Sequence, residues 1–173
     1  LASILEANQD LDPVRVRDTW LKIASLHEEK RNDLEAAEAA YEKVLSHAPN
    51  DVEILRALER TRRRDCREKE LVATLRKLAD CKDPPSQRDL LREAKGIAER
   101  IEDLPLAESV LRQLLHLDDA DLWALEELTK VRERLGDHEE VVALLLRRAE
   151  LVDDTSAIAL RRTAAEVARD RVG

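Results

Sequence analysis

The chain has 173 residues, of which 39% are charged, 43% hydrophobic and 2% aromatic, and its formal net charge is -8. A highly charged chain with little apolar content stays disordered, but the hydrophobic share and regular leucine spacing here argue for a packed core. The acidic balance opposes a general nucleic-acid role, which needs a basic face, and no run of eighteen apolar residues is present to span a membrane.

Ala, Leu, Glu, Arg and Lys dominate while Gly and Pro number only 3 and 5, which favours long helices over strands. The sequence begins at Leu1 without a charged-then-apolar leader, and it reads as a piece of something longer. Residues 1–8 resemble the tail of a helix, because LASILEANQDLDP parallels TLRKLADCKDPP further along. Helices are then predicted near 13–30, 33–47, 51–64, 67–81, 86–101, 104–117, 120–135, 138–151 and 155–171. The spacing inside them is helical, as in Leu71, Leu75 and Leu78. Between them lie breaker and capping signals: Asn32-Asp33, Asp83-Pro84-Pro85, Asp103 with Pro105, and Gly136-Asp137. Asp137 followed by Glu140 reads as a capping box. Cys66 and Cys81 bracket one predicted helix, so their separation is roughly 22 Å at 1.5 Å per residue. A disulfide needs Cα atoms within about 7 Å, so both are expected to be free thiols, which suits a reducing compartment such as the cytoplasm.

Shifted by seventy residues, the sequence matches itself. Leu55, Leu58, Ala73, Leu75, Ala79, Leu90, Ala94 and Ala98 meet Leu125, Leu128, Ala143, Leu145, Ala149, Leu160, Ala164 and Ala168. Half that period is about 35 residues, and each half holds two helix-length amphipathic segments. Trp20, Ile23, Ala24 and His27, then Ala37, Tyr41 and Pro49, follow the pattern of the tetratricopeptide repeat with one extra residue in the intervening turn. The chain therefore resembles that family, with looser later repeats. The resemblance implies an all-α, right-handed solenoid of antiparallel helix pairs, about four to five repeats, since one repeat cannot bury its apolar face alone. The expected boundaries are 1–12 for the end of a preceding repeat, 13–50, 51–85, 86–119 and 120–154 for four repeats, and 155–173 for a final or capping helix.

Nothing resembles an active site. His27, His47, His116 and His138 are scattered, without a Cys/His cluster at zinc-ligand spacing or a Gly-rich phosphate loop. No catalytic residue, metal or cofactor is expected, and His27, standing where the family has Tyr, is expected to pack. Equivalent positions separate the two tryptophans: Trp20 aligns with Leu55, Leu90, Leu125 and Leu160 and belongs inside, whereas Trp123 aligns with Asp18, Glu53, Arg88 and Ile158 and is expected to face solvent. Arg56, Arg60 and Arg63 share one helical face. In the family the first helix of each repeat lines the concave surface. The resemblance thus implies a groove of Arg56, Arg60, Arg63, Arg88, Lys95, Trp123 and Lys130, flanked by the carboxylates of Asp18, Glu28, Glu126 and Glu133. Such a groove suits an acidic protein or peptide with an apolar anchor. The Lys–Asn–Arg clamp of chaperone-binding relatives lacks its asparagines here, since Asn8, Asn32 and Asn50 all lie near helix ends or turns. A structural arm or self-association through open solenoid ends is the alternative, and the half-a-TPR class of RNA-processing proteins is a further one that the low isoelectric point disfavours.

Overall fold

The structure, a computed structural model, describes residues 13–172. Residues 1–12, where the tail of a preceding repeat was expected, lie outside the described residues. The described chain is helical throughout, without a strand: α1 (Pro13–Ser25, running on as a π-helical turn, Leu26–Arg31), α2 (Leu34–His47), α3 (Val52–Arg64), α4 (Glu68–Asp80), α5 (Pro84–Arg100), α6 (Leu104–Leu117), α7 (Leu122–Leu135), α8 (His138–Ala149) and α9 (Asp154–Val167, with a π-helical end, Ala168–Val172). Short turns join them, which makes the joined neighbours antiparallel hairpins. The hairpin repeat implied by the tetratricopeptide resemblance is therefore what this chain forms. It divides into two compact units, Leu1–Leu90 and Leu91–Gly173. In the first, α1 packs on α2, α2 on α3, and α3 on α4; in the second, α6 packs on α7, α7 on α8, and α8 on α9.

Aspartates start the helices. Asp33, Asp51, Asp103, Asp121, Asp137 and Asp153 each stand at an N-cap and accept backbone N–H bonds from the first turn, satisfying donors that have no intrahelical partner. Of the expected capping box, half forms. Asp137 Oδ1 accepts from Glu140 N at 3.2 Å, but the Glu140 carboxylate turns to arginines instead, and Asp137 N donates to the Arg132 carbonyl at 3.1 Å. Asp83-Pro84-Pro85, expected as a break before a helix at 86, is a helix start: α5 begins at Pro84, because proline has no N–H to lose in the first turn.

The residue before the N-cap of the second helix of each hairpin is left-handed: Asn32 (φ 50), Cys66 (φ 53), Glu102 (φ 57) and Gly136 (φ 76). Only the last is the residue type that adopts this region without steric cost. The extra residue of the first hairpin is absorbed in the π turn after α1.

The core repeats as expected. Trp20, Leu55, Leu90 and Leu125 are buried, Leu160 partly so, and Ile54, Leu58, Leu75, Leu91, Leu111 and Leu128 are among the most enclosed side chains. The helix α9 packs Ala164 against Val141 and Leu145, buries Ala157 as well, and leaves Arg161, Arg162, Glu166 and Arg169 exposed. Cys66 and Cys81 are both free.

Candidate functional site

Sequence reasoning missed the charged residues that hold each unit together. Arg62, in the middle of an apparently surface-bound arginine run, is only 7% exposed, and Glu38 only 5%. From α3 the guanidinium reaches α2: its Nε and Nη2 donate to Glu38 Oε1 at 2.8 and 2.6 Å, and Nη2 also to Glu42 at 2.7 Å. Its Nη1 donates to the Glu70 carbonyl at 2.9 Å and to Thr74 Oγ1 at 2.6 Å on α4. Arg67 closes the other carboxylate oxygen at 2.7 Å. Because α2, α3 and α4 meet at this one cluster, it fixes the packing of one hairpin on the next. Its signal was in the sequence: Glu108 and Arg132 stand seventy residues beyond Glu38 and Arg62, and Arg132 Nη2 donates to Glu108 at 2.6 Å.

The seven expected groove residues fall into two groups, one in each unit. In the first, Arg56 and Arg63 converge on the single carboxylate of Glu59, at 2.6 and 2.9 Å. Burial pushes the Glu59 carboxyl up, but the bonds from Arg63 and Arg56 outweigh it and hold the group below the ordinary carboxylate range. Arg60, between them, is exposed and, among the described residues, pairs with no carboxylate. Arg88 is half-buried near the start of α5.

In the second unit Trp123 is half-buried rather than solvent-facing. The Arg92 guanidinium lies 4.9 Å and the Lys95 ammonium 5.4 Å from its ring centroid, a cation–π arrangement that shields the indole. The expectation that Lys95 presents its ammonium to a ligand is corrected: the residue is 5% exposed and its ammonium pairs with Glu127 and, at 2.8 Å, with Glu99. Lys130 is exposed, bonded to Glu127 at 2.7 Å and to Glu126 at 3.0 Å. Burial raises the Glu127 carboxyl, and the bonds from Lys130 and Lys95 outweigh it and hold it below its ordinary range.

The expected acidic flanks are also largely neutralised. Glu28 accepts from Tyr41 at 2.9 Å and pairs with Arg64 at 3.2 Å, and Glu126 pairs with Arg148 at 3.0 Å. Burial, then the Glu28 carboxylate, pushes the Tyr41 phenol up to about 12. His27 is half-buried, as expected of a packing residue, with Nδ1 3.6 Å from Asp33 Oδ2. Among the described residues no group of His, Cys, Asp and Glu could hold a metal ion, and no helix is long and apolar enough to cross a membrane.

No protein-family model matches the chain, and no curated protein does. Among solved structures it is similar to a MamA protein, at 17% identity, covering 91% of this chain and 90% of that one, with a TM-score of 0.43. It is also similar to YrrB, described as a TPR protein with an unusual peptide-binding site, at 16% identity, with coverage of 99% and 93% and a TM-score of 0.43. A Podosopora anserina putative kinesin light chain with nearly identical TPR-like repeats matches at 16% identity, with coverage of 91% and 87% and a TM-score of 0.45. Likeness of this degree transfers no function, and the fold stated above rests on this chain's own helices.

Proposed function

We propose that the chain is a non-catalytic protein-interaction scaffold whose partner is an acidic protein or peptide with an apolar anchor. Its structural units are the repeats 13–50, 51–85, 86–119 and 120–154, closed by the helix beyond. The observation that carries the reading is the outer face of α3. Arg60 stands there between Arg56 and Arg63, which share the Glu59 carboxylate; it is exposed and, among the described residues, pairs with no carboxylate, in a chain whose net charge is -8. A solvated face built only for stability would balance its charges, as the second unit does around Lys95 and Lys130. Arginine suits the role, because its planar fork holds carboxylates bidentately. Arg88 is the neighbouring cation of the same unit. In the second unit Trp123 and Lys130 are the candidate apolar and cationic contacts, and Lys95 acts by holding the Trp123 ring. The two free thiols fit a reducing, cytoplasmic setting.

Crosslinking in the native cell with the chain and with an Arg60→Glu, Arg63→Glu variant tests this reading. The variant should keep its helix content and lose the partner. A partner captured equally by both would refute it.

A further inference from the structure

A cleft opens beside the Glu–Arg cluster in each unit, at equivalent places seventy residues apart. The first, with a volume of about 450 Å³, has Leu45 and Leu58 in its floor and Glu42, Ser46, Glu70 and Lys77 on its rim. The second, about 260 Å³, has Leu115, Leu128 and Leu144 below and Arg112, His116, Glu140 and Arg147 above. Leu115 and Leu128 are the counterparts of Leu45 and Leu58, so the notch belongs to the repeat. The rim does not. Glu42 has become Arg112, Ser46 has become His116, and Lys77 has become Arg147.

The first cleft, which Arg62 also lines, carries two cations and two carboxylates; the replacements turn that balance into a cationic rim. Arg112 is held by Glu108 at 2.9 Å and by Glu140 at 2.6 Å, and the Glu108 bond first, burial opposing, raises its pKa. Arg147 differs: its Nη2 donates to the Asp119 backbone carbonyl at 2.5 Å, and among the described residues no carboxylate lies within ion-pair reach of it. It is exposed and its guanidinium is oriented by a neutral oxygen, which leaves donors for a ligand. His116 is exposed beside it on the last turn of α6.

We propose that the second cleft, on α6, α7 and α8, is a docking site for an acidic peptide segment. One aliphatic side chain of the segment enters between Leu115, Leu128 and Leu144, and a flanking carboxylate bonds Arg147. The volume admits a single leucine-sized side chain with room to spare, and the charge selects an acidic neighbour for it. The first cleft is the internal control, because its floor is similar and its rim carries Glu42 and Glu70 among its charges. This site is separate from the arginine face of α3, and either can hold when the other fails.

The probe is the acetylated, amidated peptide Asp-Glu-Leu-Glu-Asp, titrated into the full chain with methyl-labelled leucines and followed by NMR. Shifts are expected at Leu115, Leu128 and Leu144, with Leu45 and Leu58 unmoved, and Arg147→Glu should weaken the binding read at those methyls more than about ten-fold. Because Arg147 also orients the loop at Asp119, His116→Glu serves as a second variant and should weaken it in the same direction. Shifts confined to Leu45, Leu55 and Leu58, which line the first cleft, would overturn the second cleft; the arginine face of α3 is tested by its own variants. Shifts at the second cleft that survive both variants, or that appear equally in the first, would overturn it as well.

Discussion

In the first unit the carboxylate of Glu38 is buried under two arginines, and every donor group of Arg62 finds an oxygen. In the second the equivalent pair is looser: the side chains of Arg132 and Glu108 are 17% and 18% exposed, and Arg132 Nε is buried without a hydrogen bond. Two neighbours of the pair also differ. Thr74, which accepts from Arg62, is replaced by Leu144, which offers no oxygen, and Glu42, which also accepts from it, is replaced by Arg112. Repetition has kept the helix pairs, most of the caps and one ion pair, while the residues around that pair have diverged, and with them the cleft each unit presents.

The largest expected consequence is a difference in what the two pairs are worth. Glu38→Ala strands a buried guanidinium and should cost about 3–5 kcal/mol. Glu108→Ala leaves an arginine that Glu140 and Asp137 still pair, and should cost about 1–2 kcal/mol. Denaturant unfolding measures both, and equal losses would break the comparison. The tryptophans give the next contrast. Trp20→Ala empties a core position and should cost about 3–5 kcal/mol, while Trp123→Ala removes a half-buried ring and its two cations for about 1–2 kcal/mol.

The pH dependence draws on both units. Glu59 and Asp51 in the first, and Glu127 in the second, are held below their ordinary values, each by cationic partners that outweigh burial; for Asp51 these are Arg17 and backbone donors. A depressed carboxylate contributes stability that is present above its unfolded value, 4.5 for Glu or 3.8 for Asp, and is lost as the pH falls through the lower folded value. Unfolding followed from neutral pH downwards should therefore show stability falling below about pH 4.5. Tyr41 has the opposite sign: its contribution is complete below 10 and is lost as the pH rises through about 12. A flat acid limb would contradict these assignments.

The smallest effects sharpen the comparison of turns. Cys66→Gly and Glu102→Gly, at left-handed positions, should each stabilise by about 0.5–1 kcal/mol, and Gly136→Ala should lose about 1 kcal/mol. A Cβ at Gly136 would meet no atom within 4 Å, so that loss is conformational alone. Thermal unfolding of the three variants checks the signs.

The fold was legible because apolar positions and aspartate caps recur at fixed spacing, and both are local signals. The hairpin turns were legible at Asn32 and Gly136, whose residue types favour a left-handed backbone, and not at Cys66 or Glu102, where tertiary packing imposes it. The burial of Lys95 and Arg62 was hidden for a different reason. A long cationic side chain reads as surface unless its partner is known, and Glu127 and Glu38 lie on other helices. The self-match that revealed the core also contained Glu38 and Glu108, but carboxylates on helices resemble solvated faces. Of the candidate groove, the arginine pattern on α3 was legible from spacing alone, whereas the neutralisation around Trp123 was not.

The central claim is that buried charge builds the repeat while the exposed Arg60 on α3 binds the partner. The most direct test is the affinity of a purified acidic partner segment, measured by calorimetry at low and high salt, for the unaltered chain and for Arg60→Glu. The account predicts binding weakened more than about ten-fold by the substitution and also weakened by salt, with the unfolding free energy unchanged. Binding that is indifferent to both the substitution and the salt would contradict it.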